Sequence, residues 1–497
     1  MNKIEAIKAE RDGLDVIDDL ARFAAEGYHA IPDDDFERLK WYGVFRRKPT
    51  PGYFMVRLRI PNGIITSTQM RELGNLTTCL GRNMADLTTR QSIQLRWITI
   101  EQVPSLFERL RMVGLTSQQS GMDNVRNYVG CPIAGLDPDE VLDASSLTYA
   151  LQEAILNRRE YSNLPRKFNI SVTGCRQDCG HAQANDLGFT PATAVDGTVG
   201  FNVWIGGALG GKEPHLGEPM DAFVRPNEVV DIACRVLEVF RDHGPRDSRL
   251  QARLKVLLRE WGVPHFRAEV ESYLGRSLPP AGQDEVRSHG GDHIGVHQQW
   301  HDGRMYVGLN VPVGRITGGQ MKELARLAEE YGAGELRLTA DQNVLIPHVR
   351  KERIDTLLCE PLLQELSPAP HPIVRGLVTC TGNDFCHFSL IDTKGRGLAL
   401  ARTLAQQLPD LNPDTRFRLQ MSGCPHACGQ HHIGDVGLQA ARVRRDGTIH
   451  DAADVFQGGQ MGHDGRLAEK THDNVTFEEL PELLIPVIQR REPVPVT

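Results

Sequence analysis

The same segment occurs twice in this chain, and this repeat restricts the fold more than any other feature of the sequence. LRIPNGIITSTQMREL (Leu58–Leu73) matches LNVPVGRITGGQMKEL (Leu309–Leu324), and KFNISVTGCRQDCGHAQANDLG (Lys167–Gly188) matches RFRLQMSGCPHACGQHHIGDVG (Arg416–Gly437). Two shorter matches keep the same order at nearly the same offset: Leu87-Thr88 with Gln91 lies between the two long blocks, and Gly206-Gly207 lies after them. Because chance does not produce four blocks in one order, we expect two related halves.

Each copy has the pattern of a small α+β unit. Residues 53–60 alternate as a strand does and lead into a Pro-Asn-Gly turn. Thr66 and Gln69 form a capping-box pattern that opens a helix, and the second copy repeats this pattern. Strands near 85–97 and a helix near 101–112 complete the layer. A longer region with the cysteine block and further helices follows in both copies.

Composition narrows the class of protein. The 497 residues are 40% hydrophobic and 24% charged, as in a soluble globular protein of several domains. The net charge of −8 argues against general nucleic-acid binding, and no apolar run has the length of a membrane span. The N-terminus lacks the apolar core of a secretory signal, so we expect a cytoplasmic protein. Ten cysteines are too few for a disulfide scaffold, and we interpret Cys79, Cys234 and Cys359 as buried structural residues.

Four cysteines in the second half have the spacing of a metal site. Cys380 and Cys386 form a C-x5-C pair, and Cys424 and Cys428 form a C-x3-C pair. Four thiolates in two close pairs suit a tetrahedral metal or an iron–sulfur cube, and glycine and proline beside them let the backbone turn sharply. The spacing alone leaves a structural zinc site open as an alternative.

The first copy retains only three of these cysteines. Cys131, Cys175 and Cys179 align with the second copy's cysteines, whereas Asp137 stands at the position of Cys386. We therefore interpret the three thiols as remnants that pack in a core.

Cationic residues show the opposite asymmetry. Arg57 aligns with Gly308, and Arg90 aligns with Asp341. The remaining positions align as Arg126 with Arg375, Lys167 with Arg416, and Asn169 with Arg418. These differences predict one shared centre at the interface of the copies, with metal ligands from the second copy and a cationic pocket from the first.

Six motifs together resemble the ferredoxin-dependent nitrite and sulfite reductases, which contain sirohaem and a 4Fe-4S cluster. The motifs are TCTGNDFC (379–386), SGCPHACG (422–429), NVRN (124–127), LPRKFN (164–169), LTTRQ (87–91) and GELRLTADQN (334–343). The resemblance implies an internally duplicated α+β fold with two ferredoxin-like half-domains and two sirohaem- and cluster-binding α/β domains.

Domain boundaries follow from the resemblance and from the positions of the repeats. The connector is rich in proline, glycine and polar residues. The expected segments are an N-terminal helical extension (1–40), the first half-domain (41–119), the first sirohaem and substrate domain (120–276), the connector (277–300), the second half-domain (301–370) and the cluster and sirohaem domain (371–497).

The resemblance also implies roles for individual residues. Cys380, Cys386, Cys424 and Cys428 would hold the cluster, and Cys428 would also ligate the sirohaem iron. The substrate pocket would consist of Arg57, Arg126, Lys167 and Asn169. Arg90, Arg166 and Arg96 would pair with the eight carboxylates of the macrocycle.

The expected activity is the six-electron reduction of nitrite to ammonia. Sulfite-reducing members of the family carry Lys-Phe-Lys where this chain has Lys167-Phe168-Asn169, so we expect nitrite as the main substrate and assimilatory sulfite reduction as the alternative. No dinucleotide-binding motif is present at the N-terminus, so electrons are expected from ferredoxin or flavodoxin. Arg46, Arg47 and Lys48 are candidate docking residues, and we expect a monomer.

Overall fold

The computed structural model describes residues 2–211, 213–287, 291–300, 303–462 and 464–490. The N-terminal extension is helical, as the sequence predicted, and the side chain of Asn2 caps its first helix. The ammonium group of Lys8, within the extension, donates a 2.9 Å hydrogen bond to the carbonyl of Leu164. The extension therefore packs against the first copy. Its helices are α1 (Lys3–Glu10), α2 (Leu20–Glu26) and α3 (Asp33–Arg38).

The first half-domain is a sheet covered by two helices. Both reciprocal hydrogen bonds of the predicted capping box, between Thr66 and Gln69, are present at the start of its first helix. The elements are β1 (Val44–Arg46), β2 (Phe54–Arg57), β3 (Ile64–Thr66), α4 (Ser67–Cys79), β4 (Ala85–Leu87), β5 (Ile93–Ile98) and α5 (Val103–Met112).

The second domain of the first copy begins with parallel strands and continues antiparallel. Its strand order is β10-β9-β8-β7-β6, with β6, β7 and β8 parallel. The elements are β6 (Val129–Gly130), α6 (Ser145–Ile155), β7 (Ile170–Val172), β8 (Leu187–Thr193), β9 (Val199–Ile205), β10 (Glu218–Val224), α7 (Val229–His243), α8 (Leu254–Trp261) and α9 (Val263–Leu274).

The segment predicted as a connector, residues 277–300, does more than join the copies. Its β11 (Gln283–Asp284) pairs with β8, and its β12 (Gly295–Gln298) forms the edge of the second half-domain sheet. Further elements of this half-domain are β13 (Arg304–Leu309), β14 (Arg315–Ile316), α10 (Gly318–Tyr331), β15 (Glu335–Leu338), β16 (Val344–Arg350), α11 (Ile354–Leu358) and α12 (Leu362–Glu365).

The last domain repeats the layout of the domain that contains β6–β10. Strands β17, β18 and β19 are parallel, and β20 and β21 continue the sheet antiparallel. Its elements are α13 (Pro372–Arg375), β17 (Leu377–Thr379), α14 (Thr393–Gln407), β18 (Leu419–Ser422), β19 (Val436–Arg445), β20 (Thr448–Gln457), β21 (Glu469–Thr476) and α15 (Leu480–Gln489).

The two half-domains exchange strands. Strand β14 of the second copy pairs with β4 of the first, and β3 of the first copy pairs with β15 of the second. Helices α4 and α10 cross closely, because a Cβ on Gly74 would lie 2.8 Å from the carbonyl oxygen of Gly318. The amides of Gln91 and Gln342 each donate to a backbone carbonyl of the other copy. One hydrophobic core therefore spans both half-domains.

Two of the three cysteines predicted as buried are exposed. Cys79 and Cys359 are exposed, whereas Cys234 is buried in helix α7. Cys79 ends helix α4 on the solvent side, and Cys359 directly follows α11. The apolar sequence around Cys79 and Cys359 did not show that their side chains lie on the exposed face of each helix end. Within the described residues, no helix is long and apolar enough to cross a membrane.

Candidate active site

Adjacent parallel strands deliver the four predicted cluster cysteines to one place. Cys380 directly follows β17, and Cys424 and Cys428 follow its neighbour β18. The carboxyl ends of parallel strands lie at the same edge of a sheet, so both cysteine pairs are presented there. Gly382 and Ala427 adopt left-handed backbone conformations (φ 75° and 51°) that turn the chain between the paired cysteines.

A cavity of about 340 Å³ lies in front of these cysteines and collects residues from both copies. The predicted site residues that line it are Arg57, Arg90, Arg96, Arg126, Lys167, Asn169, Cys380, Cys386, Cys424 and Cys428. Residues more than 300 positions apart in the chain therefore meet at the interface of the copies, as the aligned differences between the copies predicted.

The cavity is strongly cationic. Eight arginine and lysine side chains line it, against a single carboxylate from Asp86 within the described part of the chain. The cations are Arg46, Arg47, Arg57, Arg90, Arg96, Arg126, Lys167 and Lys394. Such an excess of positive charge in a partly enclosed space favours anionic ligands.

Backbone carbonyls orient two of the predicted substrate-pocket arginines. Arg126 donates to the carbonyls of Ser120 (3.0 Å) and Met122 (2.8 Å), while the guanidinium of Arg57 lies 4.8 Å from the ring centre of Phe45. Burial, together with the neighbouring Arg90, lowers the pKa of Arg57 to about 10. Burial also holds the pKa of Arg126 well below its usual value, and Arg57 and Arg90 lower it further. With a pKa of about 10, Arg57 remains cationic at neutral pH, and no carboxylate among the described residues forms an ion pair with either arginine.

Lys167 and Asn169 project from the segment that leads into β7. Burial lowers the pKa of Lys167 well below its usual value, and the adjacent Arg253 and Arg90 lower it further. The amide nitrogen of Asn169 donates a 3.0 Å hydrogen bond to Asp186. The guanidinium of Arg253 donates hydrogen bonds of 2.8 Å to the same carboxylate. Asp186 therefore fixes the orientation of Asn169 and keeps Arg253 beside the lysine.

Arg96 and Arg166, both predicted to contact the macrocycle, already have carboxylate partners. Arg96 lines the cavity but is fully buried, and its Nε donates to Asp86 at 2.8 Å. Arg166 does not line the cavity, and its Nη1 lies 3.8 Å from the carboxylate of Asp123. The first arginine thus belongs to the cavity lining, whereas the second does not.

Cys428 occupies the junction of two cavities. It lines the large cavity together with the other three cysteines, and it also lines a second, small cavity of about 40 Å³. Arg90, Lys167 and Asn169 border both cavities as well. Cys428 is therefore the one cysteine of the four that lines both cavities. It lies between the other cluster cysteines and the cationic residues.

Several buried polar atoms in the cavity wall suit an anionic ligand. The Nε atoms of Arg90 and Arg126 are buried donors without a hydrogen-bond partner among the described residues, and the Oδ1 atom of Asn169 is a buried acceptor that likewise lacks one. Buried donors rarely remain unpaired in proteins, so partners supplied by a bound molecule are expected. The cysteine quartet fits an iron–sulfur cluster. The excess of cations and the unpaired donors fit a macrocycle with several carboxylates beside it.

Arg47 belongs to the cavity, and the prediction that it docks an electron donor is wrong. Its guanidinium is buried between the rings of Trp97 (4.0 Å) and Phe385 (4.3 Å). Burial, with the nearby Arg96, lowers its pKa to about 10. A run of three cations resembles a solvated face, and nothing in the local sequence showed that one of them points inward. Lys48 is the exposed member of the run.

Two family models match most of the chain. The model of the "Nitrite and sulphite reductase 4Fe-4S domain" matches residues 121–278 and 372–490. The model of the "Nitrite/Sulfite reductase ferredoxin-like half domain" matches residues 46–113 and 297–362. Each model matches twice, once in each copy of the repeat.

Individual relatives match over nearly the whole chain. The ferredoxin–nitrite reductase of Synechococcus elongatus is 46% identical over 97% of this chain and 95% of its own length. The assimilatory ferredoxin-dependent nitrite reductase of Haloferax mediterranei is 38% identical over 98% and 88%. The solved structure of the Mycobacterium tuberculosis NirA protein superimposes with a TM-score of 0.93 at 29% identity, covering 99% of this chain and 94% of that chain. These matches confirm the resemblance drawn from the motifs and the duplicated α+β fold.

Proposed function

Since the chain belongs to the nitrite and sulphite reductase family, we propose that it reduces nitrite to ammonia with electrons from reduced ferredoxin. Family membership makes the protein an oxidoreductase with a 4Fe-4S cluster and sirohaem. It also rules out the zinc-binding structural protein that the cysteine spacing alone left open.

We assign the cofactors to the two sides of the large cavity. Cys380, Cys386, Cys424 and Cys428 would hold the cluster, and Cys428 would join it to the sirohaem iron. Arg90 and Arg47 would pair with carboxylates of the macrocycle, whereas Arg96 and Arg166 would act indirectly, because each is already paired with a carboxylate. When bound, the coupled cofactors supply the electrons of the six-electron reduction at one iron centre.

The arginines of the pocket bind the substrate anion. Among the described residues, no carboxylate forms an ion pair with Arg57 or Arg126, so their attraction for nitrite is little screened. The hydrogen bonds from Arg126 to backbone carbonyls keep its guanidinium oriented before substrate arrives. Such preorganised charge stabilises negative charge on the departing oxygens without rearrangement of the site.

Lys167 supplies protons. Conversion of nitrite to ammonium and two waters consumes protons as well as electrons, so a donor must stand beside the substrate. A lysine whose pKa is lowered by burial and by Arg253 releases its proton more readily than an exposed lysine and regains it from solvent during turnover.

Asn169 supports nitrite as the main substrate. Its amide nitrogen is engaged by Asp186, so this position contributes no positive charge and leaves an oxygen acceptor. A second ammonium here would favour the bulkier and more highly charged sulfite. The neutral amide suits the monoanion nitrite.

The electron donor would be a separate acidic protein, ferredoxin or flavodoxin. No nicotinamide-binding fingerprint follows a strand at the start of the chain. Docking of an acidic partner should weaken as ionic strength rises. We further propose that the enzyme acts as a monomer in the cytoplasm.

The observation that carries this proposal is the position of Cys428, a residue of the second copy, beside the cations of the first. The test is steady-state kinetics of the holoenzyme with a chemically reduced low-potential donor, nitrite or sulfite as acceptor, and ammonium or sulfide as the measured product. We expect one ammonium per six electrons and a higher kcat/KM for nitrite. A higher kcat/KM for sulfite would overturn the assignment.

A further inference from the structure

The three cysteines of the first copy form a compact thiol triangle. The Sγ atoms of Cys131, Cys175 and Cys179 all lie within 4.8 Å of one another. Among the described residues, no other group of three or more histidine, cysteine or acidic side chains has its ligand atoms so close. The three residues are 1%, 1% and 5% exposed, so their convergence is not a chance feature of a crowded surface.

The size of the triangle suits a single metal ion. With Zn–S bonds of about 2.3 Å, tetrahedral geometry places thiolates about 3.8 Å apart, within the limit observed here. A 4Fe-4S cube needs wider spacing, because each thiolate binds a different iron. The four cysteines around the large cavity contain no three sulfurs within 4.8 Å of one another, as expected for a cube.

A histidine from the connector adjoins the triangle. The Nε2 atom of His293 lies 3.2 Å from the Sγ atom of Cys179, and the ring is buried. The backbone of His293 is left-handed (φ 59°), an unfavourable conformation that surrounding contacts must maintain. Since Nε2 does not lie within 4.8 Å of all three sulfurs, the ring must move slightly toward the centre of the triangle to complete a tetrahedron.

We propose that Cys131, Cys175 and Cys179 bind one Zn²⁺ ion, with His293 as the fourth ligand. Three thiolates and one imidazole form a closed set that zinc uses in structural sites. Asp137 occupies the sequence position of the fourth cluster cysteine but does not belong to the group of converging ligands. The fourth ligand therefore comes from a different part of the chain than the repeat indicates.

The surroundings of the triangle are those of a closed site. Ile133, Tyr306 and other apolar side chains enclose the site and exclude water. A metal there would anchor the connector to the first copy through His293, which is a structural role separate from nitrite reduction.

The alternative is a core of three reduced thiols that bind nothing. Elemental analysis of holoenzyme purified anaerobically from zinc-supplemented cells distinguishes the two, because zinc is measured independently of cofactor iron. We expect one zinc per chain, and X-ray absorption at the zinc edge should show about three sulfur neighbours at 2.3 Å and one nitrogen near 2.0 Å. Wild-type enzyme without stoichiometric zinc would overturn the proposal.

Variants locate the ion. Cys175→Ser should remove the zinc while the cluster and sirohaem absorption remain, and Cys79→Ser, at an exposed thiol, serves as the matched control that keeps it. His293→Ala should weaken zinc retention against a chelator by at least about 10–100-fold, the loss seen when only an outer partner of a ligand is removed. Zinc that persists in Cys175→Ser would place the ion elsewhere and refute the site. If Cys175→Ser does not fold, the zinc-edge X-ray absorption of the wild type and the zinc retention of His293→Ala still test the site.

Discussion

Two thiol sites stand on the same backbone frame in this molecule and differ in what they can hold. In each copy, cysteines follow two adjacent parallel strands, β6 and β7 in the first and β17 and β18 in the second. The first set converges to a buried triangle, whereas the second surrounds an open cavity. A repeated fold thus fixes where thiols appear, and the neighbouring residues determine how far apart they stand.

One glycine accounts for a second difference between the copies, at the positions of the cationic pocket. Arg57 of the first copy corresponds to Gly308 of the second, where a Cβ would lie 1.8 Å from the carbonyl oxygen of His293. The missing side chain admits the connector, and Asp292 forms a 2.7 Å bond with Arg375, the counterpart of Arg126. Arg375 is therefore neutralised by a carboxylate of the connector, whereas no carboxylate among the described residues forms an ion pair with Arg126.

Replacement of Cys428 should have the largest effect on activity, and replacement of Cys179, its equivalent in the first copy, is the control. Cys428→Ser should reduce nitrite activity by at least about 10⁴-fold, more than a typical proton-transferring group contributes, because the link between cluster and sirohaem is lost. Cys179→Ser, at the equivalent position, should leave bound iron and the visible spectrum intact. Ammonium formation and optical spectra measure both. Full activity in Cys428→Ser would remove the basis for the bridge.

Removal of the proton donor should have the next largest effect. Lys167→Gln should lower kcat by about 10²–10³-fold, within the range for general acids. Activity needs the protonated lysine, so the wild-type rate should fall as pH rises through a pKa below that of an ordinary lysine, and the variant should lack this limb. Arg416→Gln, the second-copy counterpart, should change kcat little. Equal pH profiles for wild type and Lys167→Gln would contradict the role.

The ion pair between Asp292 and Arg375 in the second copy should contribute to stability. Asp292→Asn leaves Arg375 without its charged partner and should lower the free energy of unfolding at pH 7 by about 3 kcal/mol. Burial alone would raise the pKa of Asp292, but the bonds from Arg375 outweigh this and hold the pKa below its usual value. The stabilisation is therefore present above about pH 4 and is lost as the pH falls further. Denaturation at pH 7 and pH 3 should show a difference between wild type and variant that shrinks in acid.

Substrate preference should show the smallest change. Asn169→Lys adds a charge beside Lys167 and should raise the sulfite-to-nitrite ratio of kcat/KM by about tenfold, which corresponds to about 1.4 kcal/mol. The control is Arg418→Lys, at the second-copy counterpart, which should leave this ratio unchanged. An unchanged ratio in Asn169→Lys would mean that this position does not select the substrate.

Features encoded by local sequence were predictable. The capping box of Thr66 and Gln69 depends on neighbouring residues, and its hydrogen bonds form as the pattern predicted. The cavity was predictable for a different reason, because the repeat allowed each half to be compared with the other. That comparison identified Arg57 and Arg90 without any other sequence.

Features that depend on distant contacts were not predictable. Arg47 lies in a charged run, and its burial between Trp97 and Phe385 depends on residues from both copies. Asp292 lies in a polar, glycine-rich stretch typical of a linker, and its ion pair forms only because Gly308 leaves room. The paired partners of Arg96 and Arg166 were likewise invisible, since acidic neighbours carry no spacing signal.

The strand exchange described above has a consequence for biosynthesis. Strand β4 obtains its edge partner only from residues 315–316, so the sheet of the first half-domain stays open while more than 200 further residues emerge from the ribosome. An open sheet edge is a template for pairing with other chains. Truncated products that end before β14 should therefore aggregate, and the emerging chain needs protection until the second copy arrives to close the first.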